Sequence, residues 1–135
     1  MKIKNTQKSA SKLKRELDRV FSLYIRQFWA NNGGLASCYT CGKILHWKQL
    51  QCWHFIPRNI LITRWNEDNC RPQCVGCNVF GNGKILDFED RLIREIGQKE
   101  VDKLKASRFK IMKVDAIWYL EEISHYKQEL ENLER

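Results

Sequence analysis

The chain has 135 residues, of which 43% are hydrophobic and 30% are charged, and its formal net charge is +8. This length suits one domain with helical extensions, and the absence of any run of about eighteen apolar residues excludes a membrane-spanning helix. The first residues also lack an apolar signal segment. We therefore expect a cytoplasmic protein whose six cysteines stay reduced and available to a metal ion.

The positive charge is concentrated in the front of the chain. The net charge is +6 in residues 1–28, +3 in residues 29–83 and −1 in residues 84–135. This asymmetry predicts a polyanionic partner for the first two segments. The alternative is that the basic residues form an ordinary solvated surface.

The first predicted element is a basic amphipathic helix over residues 8–31, preceded by a frayed segment over residues 1–7. Its apolar residues recur every three or four positions, which is the helical period. They are Leu13, Leu17, Val20, Phe21, Tyr24, Ile25 and Phe28. Basic side chains occupy its other faces, at Lys12, Lys14, Arg15 and Arg19.

The middle segment, residues 35–83, contains all six cysteines and both prolines and has few periodic apolar runs. Its composition predicts loops and short strands, with residues 44–47 and 51–55 pairing as a hairpin. A helix is expected near residues 75–80. The remainder, residues 84–135, is expected to be helical, with helices over 85–96, 98–106 and 110–133. Together these elements predict one α+β domain over residues 1–135, with a small core between N-terminal and C-terminal helices.

Two Cys-x-x-Cys pairs are the strongest motif of the sequence. They are Cys38 with Cys41 and Cys74 with Cys77. Four thiolates can close a tetrahedral structural Zn²⁺ site, and Gly42 after the first pair lets backbone amides turn towards the sulfurs. The pattern therefore predicts that zinc staples residues 35–83. The alternative function for such a core is a zinc module that only binds nucleic acid or protein.

Four other residues of metal-binding type belong to no motif of this kind. We interpret Cys52 and Cys70 as buried or incidental thiols. We interpret His46 and His125 as structural or incidental, because a lone histidine rarely has a catalytic role.

His54 differs from these because it lies on a predicted strand between the two cysteine pairs, with Asn69 and Asn78 downstream. This order of His, Asn and Asn, with the last at the start of a helix, resembles the HNH (ββα-metal) nuclease motif in its zinc-stapled, treble-clef form. The resemblance implies an HNH-like core over residues 35–83.

Four further segments point to one particular family that contains this motif. They are Cys38-x-x-Cys41-Gly42-Lys43, Trp53–Arg58, Thr63–Asn69 and Pro72–Asn78. Together they resemble the phage NinG (Rap) recombination family over about residues 38–83. The family resemblance implies a structure-selective endonuclease for branched DNA such as Holliday junctions and D-loops, acting in the host cytoplasm. The alternative is a non-catalytic, zinc-containing DNA-binding accessory protein of recombination.

The motif implies a role for each catalytic residue. His54 would take a proton from the attacking water, Asn69 would pin its loop, and the Asn78 oxygen would bind Mg²⁺ or Mn²⁺. Many HNH proteins place Asp or His before the catalytic histidine, whereas this chain has Trp53 there. Asp68 is therefore the candidate for a further ligand, with Asp87 and Glu89 as alternatives.

DNA contacts are expected from basic residues near the motif and on the first helix. Phosphates near the motif would be bound by Arg58, Arg64 and Arg71. Further phosphates along one duplex arm would be bound by Lys12, Lys14, Arg15 and Arg19. The apolar stripe of the last helix could pack on the first helix or form a dimer. A twofold homodimer is expected if the protein nicks two strands of a junction symmetrically.

Overall fold

The computed structural model describes residues 9–134, in which the short strands lie between the first helix and the last three helices. The helices are α1 (Ala10–Phe28), α2 (Leu61–Arg64), α3 (Ile85–Ile96), α4 (Gln98–Ala106) and α5 (Ala116–Asn132). The strands are β1 (Leu35–Ser37), β2 (Ile44–His46), β3 (Leu50–His54) and β4 (Cys70–Cys74). These elements confirm the α+β class. In this described part, no helix is long and apolar enough to cross a bilayer.

Three of the predicted helices are present, one with shorter ends and two with the predicted bounds. The predicted helix 8–31 is α1, whose first turn is capped by Ser9, since its Oγ accepts a hydrogen bond from the Lys12 amide at 3.3 Å. The predicted frayed segment 1–7 and residue 8 lie outside the described residues. The helices predicted at 85–96 and 98–106 are α3 and α4, separated by Gly97.

The last helix begins later than predicted. The structure starts α5 at Ala116 instead of residue 110. The reason is an N-cap: the Asp115 side chain accepts a hydrogen bond from the Trp118 amide at 2.9 Å, which defines the first turn.

The chain divides into two compact units, one containing residues up to Tyr24 together with those from Lys113, and one containing Ile25–Met112. In the first unit, α1 and α5 bury part of their apolar stripes, whereas Ile117 and Leu120 of α5 are exposed. The Tyr126 ring lies 5.0 Å from Phe21 and 5.3 Å from Tyr24. This packing of the last helix on the first is one of the two predicted alternatives, and the homodimer stays a prediction. The single domain over residues 1–135 also stays a prediction.

The second unit contains two separate antiparallel strand pairs. β1 pairs with β2, with Ala36 opposite Leu45, and β3 pairs with β4, with Cys52 opposite Pro72. The predicted hairpin between residues 44–47 and 51–55 is therefore wrong. A 3₁₀ turn over Trp47–Gln49 separates these segments, so β2 pairs back with β1 and β3 pairs forward with β4.

Aromatic packing fixes α3 against the second strand pair. The Phe88 ring lies 4.6 Å from Trp53 and 4.8 Å from Tyr39, and it is fully buried. Gly83 precedes α3 with φ of +83°, and a Cβ there would come within 2.3 Å of the Trp53 indole. Glycine is required at this position both for the left-handed backbone and for the close contact. The indole of Trp53 is thus part of the packing that holds β3.

Candidate metal centre and adjoining cavity

The first cysteine pair lies in the tight loop between β1 and β2. The Cys38 amide donates to the Lys43 carbonyl at 2.8 Å, and the Gly42 amide donates to the Cys38 carbonyl at 3.0 Å. These bonds fold the loop back on itself, with Gly42 at φ of +79°. Cys41 is consequently presented at the surface while Cys38 is fully buried.

The second cysteine pair joins the first in one cluster. Cys74 ends β4, and Cys77 lies in the single helical turn Gly76–Phe80 that follows. All four sulfurs lie within 4.8 Å of one another, and the sulfurs of Cys41 and Cys74 are 3.7 Å apart. Tetrahedral zinc with Zn–S bonds of about 2.3 Å sets its sulfurs about 3.8 Å apart. The predicted cysteines can therefore hold a metal ion such as zinc.

The environment of the cluster favours a thiolate at one cysteine and opposes it at another. Burial acts to raise the pKa of Cys38, but hydrogen bonds from the backbone of Cys41 and Cys74 and from Thr40 outweigh it and lower the pKa to about 6. Burial, together with the neighbouring thiols of Cys74 and Cys41, raises the pKa of Cys77 to about 12. Four adjacent thiols cannot all ionise unless a cation compensates their charge.

Zinc affinity is expected to fall steeply as the pH is lowered. A hydrogen bond from the Lys43 backbone acts to lower the pKa of Cys41. Partial burial and the neighbouring Cys38 thiol outweigh this bond and raise the pKa above its ordinary value. Cys41 and Cys77 are therefore protonated at neutral pH, and zinc must displace at least these two protons. The apparent zinc affinity should therefore decrease by at least about 100-fold for each unit by which the pH is lowered. Competition with a chelator at several pH values measures this slope, and a pH-independent affinity would contradict it.

A cavity of about 470 Å³ brings together two of the predicted catalytic residues. It is lined by His54 at the end of β3 and by Asn78, which directly follows the cysteine cluster. The other lining residues are Cys52, Trp53, Phe55, Pro57, Arg58 and Ile85. The imidazole and the amide thus share one solvent-accessible space.

The orientation of the His54 ring is set by backbone. The His54 Nε2 lies 2.8 Å from the Arg64 carbonyl oxygen, which can only accept a hydrogen bond. Nε2 therefore carries the proton, and in the neutral ring the lone pair is on Nδ1.

Asn69 holds the segment that provides this carbonyl. Its Oδ1 accepts from the Ile56 amide at 2.7 Å, and its Nδ2 donates to the carbonyls of Ile56 and Thr63, both at 3.0 Å. Asn69 is fully buried. Its side chain therefore connects the two ends of the loop between β3 and β4, and its predicted role in catalysis stays a prediction.

Asn78 is also oriented by a neighbour. Its Nδ2 donates to the Gln51 side-chain oxygen, so its carbonyl oxygen is the remaining polar atom of the amide. Asp68, the candidate further cation ligand, lies exposed in the turn Glu67–Asn69 and is not among the described residues that line the cavity. Its role as a ligand stays a prediction.

Two of the three predicted phosphate-binding arginines lie at the loop. Arg58 is exposed and lines the cavity. Arg64 is half-buried, donates from its guanidinium to the Arg58 carbonyl at 2.9 Å, and lies over the Trp65 ring at 5.4 Å. Lys12, Arg15 and Arg19 are exposed on α1, with Lys14 half-buried.

Arg71 requires a correction, because the structure places it in the interior. Only 3% of the Arg71 side chain is exposed, and its guanidinium pairs with Glu95 at 2.9 Å. It also donates to the carbonyls of Glu67 and Cys70 and lies over the rings of Trp29 and Tyr39. Its donors are used within the fold, which contradicts the predicted contact with DNA.

Replacing Arg71 should therefore affect stability. Arg71→Ala is expected to lower the free energy of unfolding by about 3 kcal/mol, because the buried guanidinium loses its ion pair with Glu95 and two hydrogen bonds to carbonyls. Arg58→Ala is the matched control and should change it by less than about 0.5 kcal/mol. Urea unfolding of the zinc-loaded variants measures both values, and equal stability of the two variants would contradict the structural role.

Cys52 and Cys70, which the sequence analysis interprets as buried or incidental thiols, lie next to His54, with Cys70 buried and Cys52 half-buried. The ligand atoms of the three residues are within 4.8 Å of one another. Burial, with the Cys52 thiol as a second cause, raises the pKa of Cys70 well above its ordinary value. The sequence contains no spacing motif for this group, since only the register of β3 and β4 brings it together.

These features define an α+β protein whose second unit, residues 25–112, has a four-cysteine cluster able to hold a metal ion. A family sequence model described as "Bacteriophage Lambda NinG protein" matches residues 1–135. The chain therefore belongs to the NinG family of bacteriophage proteins, which confirms the resemblance seen in the sequence.

One relative is the curated "Protein ninG" of Escherichia phage lambda. It is 32% identical over an alignment of 74 residues, and the alignment covers 52% of the present chain and 34% of the lambda protein. The chain thus spans about a third of the length of this relative. No solved structure matches the chain.

Proposed function

We propose that this protein is a metal-dependent, zinc-stabilised endonuclease of the HNH type that hydrolyses phosphodiester bonds in branched DNA. The observation that carries the proposal is the shared cavity of His54 and Asn78, where Asn78 directly follows Cys77 of the four-cysteine cluster. The order strand, loop, strand and helical turn in this region supports a ββα-metal core. Family membership supports a substrate class of recombination intermediates, such as Holliday junctions and D-loops.

The residues of the cavity support general-base catalysis. Since Nε2–H of His54 is held by the Arg64 carbonyl, Nδ1 would take the proton from the attacking water. Asn69 would act as a positioning residue, because its hydrogen bonds fix the loop that carries this carbonyl. The imidazole would thus be oriented before DNA binds, which lowers the cost of reaching the reactive geometry.

The donor set of the cavity suits a hard cation that is shared with the substrate. The Asn78 carbonyl oxygen would bind Mg²⁺ or Mn²⁺, and among the described lining residues no carboxylate adds to it. Mg²⁺ commonly combines few protein oxygens with substrate phosphates and several waters. When bound, such a cation supplies charge stabilisation for the scissile phosphate and the leaving oxygen.

The basic residues would bind the DNA backbone. Arg58 lies at the cavity itself, where its guanidinium can form two hydrogen bonds to one phosphate. Contacts to phosphates carry no direct sequence information, so selectivity would be for DNA shape. A branched substrate places several backbone segments near one protein surface, which suits such a mode.

A nicking assay tests the proposal. A labelled four-way junction and a linear duplex of the same sequence are incubated with the native protein and Mg²⁺, Mn²⁺ or a chelator. We expect nicks in the junction with either cation, fewer in the duplex, and none with the chelator. Tight junction binding without cleavage under any cation would instead support the non-catalytic, DNA-binding accessory protein.

A further inference from the structure

A second group of metal-binding side chains lies on one face of the β3–β4 pair. His54 is directly opposite Cys70, and Cys52 precedes His54 by two residues on the same strand. Alternate residues of a strand share a face, and directly opposed residues on neighbouring strands do so too. The side chains of all three residues therefore converge, and their ligand atoms lie within 4.8 Å of one another.

The surroundings of this group resemble those of a zinc site with three protein ligands. Cys70 is fully buried, whereas Cys52 and His54 are half-buried and line the cavity of about 470 Å³. The cavity leaves room for a fourth ligand from solvent. Catalytic zinc sites commonly combine three protein ligands with one such open position, and Cys₂His is one of the known sets.

The hydrogen bond of the histidine is also of the type found in metal sites. A metal-bound histidine usually donates its second ring N–H to a carbonyl or carboxylate, which fixes the tautomer. Here the His54 Nε2–H donates to the Arg64 carbonyl at 2.8 Å, which assigns the ring lone pair to Nδ1. The carbonyl belongs to the loop that Asn69 holds, so the ring is oriented by the fold.

The charge and chemical type of the three ligands favour a divalent ion that prefers sulfur. Two thiolates and one divalent cation sum to zero, so a loaded site would bury no net charge. Thiolate and imidazole ligands favour Zn²⁺ over Mg²⁺, which prefers oxygen ligands. We propose that Cys52, His54 and Cys70 form a second metal site that takes Zn²⁺ or a similar soft divalent ion. This site is distinct from the four-cysteine cluster.

A cobalt titration tests the second site without reference to enzyme activity. The reduced chain is first loaded with one equivalent of Zn²⁺, which occupies the four-cysteine cluster, and is then titrated with Co²⁺. We expect one further equivalent to bind, with a thiolate-to-cobalt charge-transfer band. Binding of no further equivalent, or a spectrum without thiolate ligation, would overturn the proposal.

Variants locate the bound cobalt. Cys52→Ser and His54→Gln each remove one ligand of the bound cobalt. Loss of a residue that only supports a ligand already costs about 10–100-fold in metal affinity, so each variant should bind Co²⁺ at least about 100-fold more weakly. His125→Gln is the matched control, because its imidazole belongs to neither cluster, and its affinity should equal that of the native chain. Native affinity in both ligand variants would place the cobalt elsewhere and overturn the proposal. The far-ultraviolet circular dichroism of each zinc-loaded variant checks that it is folded.

One consequence of the second site rests on the proposed function. An imidazole nitrogen bound to Zn²⁺ cannot take a proton, so zinc beyond one equivalent should inhibit cleavage by the native chain. Cys52→Ser should require about 100-fold more zinc for the same inhibition, in line with its weaker binding. A chain that binds the second ion but never cleaves DNA would retain the metal site and contradict only the nuclease function.

Discussion

His54→Ala is expected to lower the single-turnover rate of junction cleavage by about 10²–10⁴-fold, which is the usual contribution of a positioned general base. The imidazole is held by the Arg64 carbonyl at 2.8 Å and lines the cavity with Asn78, so the substitution removes an oriented proton acceptor from the cavity. Affinity for the same junction should change by less than about threefold, because phosphate contacts determine binding. Quenched-flow cleavage and filter binding on one junction measure the two quantities.

His125→Ala is the matched control for this variant. His125 lies exposed on α5 and should leave both the rate and the affinity unchanged. If His54→Ala cleaves at the native rate, His54 is not the general base. If its affinity falls as much as its rate, His54 acts through binding or folding instead of through proton transfer.

Loss of the zinc ligands is expected to unfold the region from β1 to the turn after β4. Zinc binding to structural cysteine sites contributes about 10–16 kcal/mol of folding free energy, which exceeds the stability of most domains. Cys74→Ser removes the ligand whose sulfur lies 3.7 Å from that of Cys41 and accepts from the Cys77 amide at 3.4 Å. We therefore expect loss of amide protection in β3 and β4 and loss of both binding and cleavage.

Cys52→Ser is the control for this second prediction, since Cys52 lies outside the four-cysteine cluster. Its amide protection in β3 and β4 should stay close to that of the native chain. Hydrogen exchange measured by mass spectrometry compares the two variants. A native protection pattern in Cys74→Ser, or in the native chain after zinc removal by a chelator, would contradict a structural role of the metal.

Local patterns predicted the helices and the four-cysteine cluster well. The apolar period of residues 85–96 and the glycine after them define α3 and its end, which depend on neighbouring residues only. The two Cys-x-x-Cys spacings likewise restrict each pair to a tight turn. The start of α5 was missed because the apolar stripe continues before Asp115, and the capping hydrogen bond decides the boundary.

Strand pairing and buried polar contacts depend on residues far apart in sequence. The segment 44–46 pairs with 35–37 instead of 51–55, because a 3₁₀ turn interrupts the predicted hairpin. Arg71 looks like any basic residue near a motif, and only its 2.9 Å pairing with Glu95 on α3 shows that it is internal. Cys52 and Cys70 come together only through the register of β3 and β4.

Imidazole rescue tests the central claim most directly, namely that an imidazole held beside the metal cluster takes a proton from water at the scissile phosphate. Cleavage of a four-way junction by His54→Ala and by Asn78→Ala is followed with increasing free imidazole. We predict that imidazole accelerates His54→Ala in proportion to its unprotonated form and leaves Asn78→Ala unchanged. Equal acceleration of both variants, or a native rate in His54→Ala without imidazole, would contradict the account.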